Sequence, residues 1–175
     1  RTFQNLELFS HMTTLDNLLL GRHLYMRAGI LQILGLFFKG NAAAKEEVAH
    51  RHKVEEIIDF LELQASRNKL VAALPYGTQK LVELGRALAM EPRLLLLDEP
   101  AAGLNQEERE EMIFWIRDIR EQLGITIVLI EHNMQLVTSI SDRILAINFG
   151  RKMAEGKVGE VIHHPEVIKA YLGAD

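Results

Sequence analysis

The sequence predicts an α/β fold: a parallel sheet core, with a helical subdomain ahead of it in the chain. Three observations carry this expectation. Leu94-Leu95-Leu96-Leu97 has no period-two alternation, so it reads as a strand covered on both faces, the habit of parallel sheets in α/β domains. Residues 125 to 131, Ile-Thr-Ile-Val-Leu-Ile-Glu, form a second β-branched, buried-type strand that ends at His132. Between them, Met112, Ile116, Ile119 and Leu123 recur at helical spacing, flanked by Ile113 and Trp115. Strand, helix, strand in this order is a βαβ unit with a right-handed crossover, so Asp98, Glu99 and His132 should share one edge of the sheet.

The elements follow in order. Residues 13–24, 30–38, 45–63 and 78–90 read as helices, and no convincing strand precedes residue 90. In the third helix Val54, Ile57, Ile58 and Leu61 make the buried stripe, and Glu46, Glu47 and Glu56 the wet one. Asn105 is a good N-cap for the helix 106–123, with Glu108 three residues on as in a capping box, and Gly124 supplies the stop. A helix over 134–140 leads into a third strand, 143–149. Gly150 and Gly156 then bracket a hairpin, and a short helix broken by Pro165 closes the chain at 161–172. The expected organisation is a largely helical part at 1–90, an α/β part at 91–160 and a tail at 161–175.

Composition narrows the class. The chain has 175 residues, 48% hydrophobic and 25% charged, enough for one cored domain or one domain with an insertion. A net charge of −4 argues against a nucleic-acid surface, which wants clustered Lys and Arg. The absence of cysteine removes disulfides and Cys-based zinc sites. Residues 30–38 are the greasiest stretch but too short to cross a bilayer, which takes about 20 apolar residues. Arg1-Thr2-Phe3-Gln4 has neither Met nor a signal-peptide layout, and the chain is expected to be cut at this end.

Two places carry chemistry. Asp98-Glu99-Pro100 sits where a strand ends, and Pro100 stops the ladder. Ligands of open α/β sheets bind at the carboxyl ends of strands, and adjacent acids there are costly unless a cation or a reacting water needs them. Leu74-Pro75-Tyr76-Gly77-Thr78-Gln79-Lys80 opens directly into a helix, and free N–H groups at such a start suit an anion. His50 and His52, among Glu and Lys, read as solvated, and His163-His164 lacks a third metal ligand nearby.

Taken together in sequence order, these motifs resemble the ATP-binding subunits of ABC transporters: a Q-loop (Gln4), a signature loop (74–80), a Walker B strand (LLLLDEP), a D-loop (Ala101-Ala102-Gly103-Leu104-Asn105) and an H-loop (His132). The Tyr-Gly form of the signature and the tail Ala154-Glu155-Gly156, Pro165-Glu166-Val167 and Ala170-Tyr171-Leu172-Gly173 are most similar to branched-chain amino acid importers. The resemblance implies a P-loop NTPase fold, ATP and Mg²⁺ as cofactors, and ATP hydrolysis that drives uptake of branched-chain amino acids or similar small solutes. It implies that Gln4 senses Mg²⁺ and the attacking water, that Asp98 holds Mg²⁺ through water, that Glu99 is the general base, and that His132 meets the γ-phosphate. Gly77 and Thr78 would cap the ATP of a second ATPase subunit. Membrane permease subunits are the other implied partners, placing the protein peripherally on the cytoplasmic face of the inner or plasma membrane. Burial of Phe37 and Phe38 in the helical subdomain competes with docking of these residues on the permease or the membrane surface.

Three departures from the family pattern qualify the match. Pro75 and Thr78 replace the usual Ser and Gln of the signature, and Asn105 stands where an Asp is usual. No G-x-x-x-x-G-K-[ST] phosphate loop occurs in the 175 residues; Gly150 to Val158 has the wrong spacing and context. The expectation is therefore a truncated ABC ATPase, inactive on its own. The rival reading is a non-transport ABC-type module of DNA repair or translation, or a binding-only piece. The coiled-coil insertions and paired ATPase units of those relatives are not visible here.

Overall fold

Thr13 caps α1 (Thr14–Arg22): its Oγ1 accepts the Asp16 N–H at 3.1 Å, and the Asp16 carboxylate accepts the Thr13 hydroxyl at 2.6 Å. The computed structural model describes residues 8–25 and 40–172. Gln4 and the stretch 30–38, with Phe37 and Phe38, lie outside the described residues. After α1 the chain tightens into a 3₁₀ turn, His23–Tyr25. Then come α2 (Gly40–Phe60) and, after a connection held by Val71 N–H to Met12 C=O at 3.0 Å, α3 (Tyr76–Leu88). These helices bury Leu18, Val54, Ile58, Leu61 and Val82 against one another. The helix expected over 78–90 starts two residues early, because Pro75 is extended (φ −55°, ψ 151°) and serves as its N-cap.

One expectation in this part is corrected. His50 is not solvated; it is buried against Arg22, whose Nε donates to His50 Nδ1 at 3.2 Å. Arg22 is itself only 3% exposed, and its Nη1 donates to Ala89 C=O at 2.8 Å and lies 3.2 Å from the Glu91 carboxylate. Its guanidinium stands over the Tyr25 ring, 4.7 Å from the centroid, and Glu91 also pairs with Lys53. A buried guanidinium needs several acceptors at once, and His50 is one of them.

The βαβ unit forms as expected. Strand β1 (Leu94–Asp98) pairs in parallel with β2 (Thr126–Ile130), in a register running from Leu94 opposite Thr126 to Asp98 opposite Ile130. Helix α4 (Gln106–Leu123) connects them, with the Asn105–Glu108 capping box in place and Gly124 stopping it at φ +65°. Its buried face is Met112, Trp115, Ile116 and Ile119; Leu123, expected in the stripe, is exposed in the last turn beside the stop. The expectation that the leucine run is covered on both faces is also corrected. Leu95 and Leu97 are 4% and 2% exposed, whereas Leu94 and Leu96 are 51% and 43% exposed, and Val128 and Ile130 are exposed beside them. Leu97 lines a small gap with Met112 and Leu84, so the packed layer lies on one face of the two strands. Among the described residues nothing covers the other.

Contacts divide the chain into two units, Arg1–Ile130 and Glu131–Asp175. The boundaries expected at 90/91 and 160/161 mark changes in element type, which is a different property from contact density. In the second unit, α5 (Met134–Ile140) is capped by Asn133, whose Oδ1 accepts the Leu136 N–H at 3.1 Å. Strands β3 (Arg143–Asn148) and β4 (Arg151–Lys157) form an antiparallel hairpin that turns at Phe149-Gly150. Gly156 lies inside β4 opposite Ile144, so it does not bracket the turn as expected. Helix α6 (Val158–Ile162) follows, then a short helical turn Pro165–Val167 that runs into a π-helical turn, Ile168–Leu172. Ala146, Val161 and Val167 make this unit's core with Ile144 and Met153.

Candidate functional site

The site is built on the end of β1. Asp98 is the last strand residue, opposite Ile130, and both it and Glu99 are half-buried. Glu99 leaves the strand in the left-handed region at φ +46°, yet its N–H still reaches the Ile130 carbonyl at 2.9 Å. The parallel ladder thus extends one residue past the strand and fixes where the second carboxylate emerges. Left-handed backbone also occurs at Glu62, Glu91 and Phe149, so the conformation marks a tight turn and the acid at the sheet edge carries the chemistry. Pro100 is buried behind it, and Ala102 N–H closes the turn on Glu99 C=O at 3.0 Å.

Gly77 and Thr78 fall in the first turn of α3, within the 13-residue helix that the loop opens. Its N-cap is a proline with no side-chain bond to offer, which leaves the first N–H groups of the helix unclaimed by a cap. Tyr76 reaches from this turn to the D-loop, its hydroxyl 3.5 Å from Ala102 C=O. Behind it Lys80 and Glu83 form a buried ion pair at 3.8 Å, which lines the same gap as Leu97 and Pro100. Sequence reading passed over this pair. Its signal was available: a Lys and a Glu three apart on a helix whose neighbours Leu81, Val82 and Leu84 are apolar.

Asn105 caps α4, as its side chain permits whatever its charge: its Oδ1 accepts Glu108 N–H at 3.0 Å, and Glu108 Oε2 accepts Asn105 N–H at 3.0 Å. His132 is exposed and belongs to the second unit, whereas Asp98, Glu99, Gly77 and Thr78 belong to the first. Among the described residues no cluster of three or more His, Cys, Asp or Glu could cage a metal. Asp98, half-buried at the sheet edge, offers hard oxygens of the kind a hydrated divalent cation takes.

A strand ending in two acids, a glycine-containing helix start and a capped D-loop between them define an ATP-binding cassette, and the chain belongs to the ABC transporter family, whose family model matches residues 1–102. A second model, the branched-chain amino acid ATP-binding cassette transporter, matches residues 151–175. Among characterised relatives, the chain is 39% identical over 173 residues to the high-affinity branched-chain amino acid transport ATP-binding protein BraF of Pseudomonas aeruginosa. It is equally 39% identical to LivG of Escherichia coli K12, and in both cases the match takes in 99% of this chain and 67% of the relative. Among solved structures, the ATP-binding cassette MJ1267 in its ADP conformation superposes with a TM-score of 0.74 at 27% identity, over 99% of this chain and 66% of that one. The dimeric cassette MJ0796 matches with a TM-score of 0.65 at 25% identity, over 89% of this chain and 61% of that one.

Proposed function

We propose that this chain is the greater part of an ATP-binding subunit of an ABC importer for branched-chain amino acids or similar small solutes. The observation that carries the reading is the parallel β1–β2 pair delivering Asp98 and Glu99 to one sheet edge, in a chain 39% identical to BraF and LivG along 173 residues. Those relatives favour transport over a module of DNA repair or translation.

Phosphoryl transfer to water needs little covalent help and much positioning. In this reading Asp98 would hold Mg²⁺ through water, and the ion would supply neutralising charge against the phosphates. Glu99 accepts the proton of the attacking water, His132 donates a hydrogen bond to a γ-phosphate oxygen, and Gln4 monitors both metal and water. Gly77 and Thr78 present N–H and hydroxyl groups to the nucleotide of a second ATPase subunit, in keeping with the dimeric state named for MJ0796. Asn105 takes the D-loop place as a neutral cap. The complete assembly includes permease subunits, so the protein sits peripherally at the cytoplasmic face of a membrane. No helix among the described residues is long and apolar enough to cross one.

The 175 residues alone supply two carboxylates at 98 and 99 but no G-x-x-x-x-G-K-[ST] nest against a triphosphate, so this polypeptide by itself is proposed not to hydrolyse ATP. Two measurements test the reading. In the full-length protein, Glu99→Gln is expected to lower hydrolysis at least about 10²-fold while MgATP binding persists. Undiminished turnover in that variant would remove Glu99 from its role. Calorimetric titration of the 175-residue chain with MgATP should show no saturable binding near micromolar concentration, roughly −8 kcal/mol. A clear isotherm there would mean that phosphate is held by groups other than those named.

A further inference from the structure

The signature turn and the D-loop meet through contacts that no assigned role uses. Tyr76, the first residue of α3, lays its ring on Gly103: a Cβ at Gly103 would stand 3.1 Å from Tyr76 Cε1, and Gly103 has φ +77°. One residue further, Gly77 faces Glu108 so closely that a Cβ would stand 2.6 Å from its Oε1. Glu108 is the residue that closes the capping box on Asn105. Tyr76 is in turn backed by Lys80, whose ammonium lies 5.8 Å from the ring centroid and is held in the buried pair with Glu83.

We propose that Tyr76 is a positioning residue that clamps the turn from Glu99 to Asn105 onto the signature helix, so that Glu99 and Gly77 are held as parts of one body. The proposal rests on the ATPase reading above for its consequence, but the clamp itself is a property of this chain. The linkage is continuous: Ala102 N–H is bonded to Glu99 C=O at 3.0 Å, and Ala102 C=O faces the Tyr76 hydroxyl at 3.5 Å. At 3.5 Å that last contact is at the long end of hydrogen bonding, so ring packing on Gly103 carries the restraint and the hydroxyl adds little. At Gly103 the positive φ selects glycine, and a Cβ there would need the Tyr76 ring to give by a few tenths of an ångström, whereas a Cβ at Gly77 would displace the Glu108 carboxylate. Positioning of this kind acts on turnover, because small misplacement of a reacting group costs rate without weakening ground-state binding.

The test has two arms. In the 175-residue chain, Tyr76→Ala should raise amide exchange across 101–105 about 10-fold or more, while exchange across 82–88 and β1 stays as in the parent. In the full-length protein assembled with its second ATPase subunit, the same variant should lower kcat about 10- to 100-fold with KM for MgATP within about twofold, and Tyr76→Phe should restore both arms to near the parent values. Unchanged exchange at 101–105 overturns the clamp. So does a rise in KM at constant kcat, which would make Tyr76 a nucleotide contact, or a Phe variant as impaired as the Ala variant. If Tyr76→Ala does not fold, Tyr76→Leu, which fills space without a ring, takes its place under the same criteria. An inactive parent assembly would overturn the ATPase reading, and the exchange arm would still decide the clamp.

Discussion

Replacing Arg22 by Ala should cost the first unit far more than a surface charge would. The guanidinium is 3% exposed and satisfies two buried acceptors, Ala89 C=O at 2.8 Å and His50 Nδ1 at 3.2 Å. Each acceptor left without a donor costs about 1–3 kcal/mol. Losing the buried methylene stem adds roughly 1–2 kcal/mol, and releasing an ordered Arg side chain returns up to about 2 kcal/mol. The balance is a loss of about 3 kcal/mol, a large share of the roughly 5–15 kcal/mol that holds a typical domain together. Glu91, whose side chain is 47% exposed, offers the contrast: Glu91→Ala removes carboxylate contacts to Arg22 and Lys53 at a wet edge but leaves Arg22 both buried acceptors, so it should cost less than Arg22→Ala. Arg22→Lys keeps the charge but cannot serve both acceptors in their fixed directions, so it should fall between the two. Trp115, the single tryptophan, is buried in this unit and reports its unfolding by fluorescence in urea. With a slope near 2 kcal/mol per molar urea, Arg22→Ala should lower the midpoint by about 1.5 M. A shift no larger than that of Glu91→Ala would show that the buried acceptors find water or other donors, and the reasoning would fail.

Two further outcomes follow from the same unit. Its stability should fall in acid: the Arg67 hydrogen bond to Glu55, at 2.8 Å on one oxygen, and the Lys53 and Arg22 contacts to Glu91 hold both carboxyls below their ordinary value of 4.5. A depressed carboxyl contributes stability that is present above that value and lost as pH falls through the folded-state one, so the urea midpoint should be flat from pH 7 to about 5 and drop below it. Both pairs are partly wet and screened by solvent, so each contributes little, and the double variant Glu55→Gln, Glu91→Gln should have a shallower acid limb; an identical limb assigns the loss elsewhere. The open face of Leu94, Leu96, Val128 and Ile130 should make the 175-residue chain associate. Leu96 and Val128 are directly opposite in register, so Leu96→Glu with Val128→Lys introduces a cross-strand ion pair in their place and should lower light scattering; unchanged scattering would place association elsewhere.

The βαβ unit was legible because its signals are local. Asn105 and Glu108 are three residues apart, Gly124 follows its helix directly, and the acids adjoin their strand. What escaped reading depends on partners distant in sequence. His50 looks solvated among its neighbours, and its buried contact with Arg22 comes from 28 residues earlier. An unalternating leucine run cannot say which of its faces is covered, since that depends on which layers pack on the sheet. Tyr76 reads as one residue of a loop until the fold brings Gly103, 27 positions on, beneath its ring. The candidate site divides the same way: motif order marks Asp98, Glu99, Gly77 and Thr78, whereas what holds their segments in register comes from tertiary contact.

The backbone at position 99 has a consequence for how this protein tolerates change. At φ +46° glycine is the residue the turn itself would select, and a side chain there costs about 1 kcal/mol or more. The carboxylate is therefore kept against a local preference. Variation judged by folding alone would drift toward Glu99→Gly, and variation judged by turnover would reject it. Position 99 is a place where durability and chemistry ask for different amino acids, so a library ranked by melting temperature would discard the residue on which the proposed reaction depends.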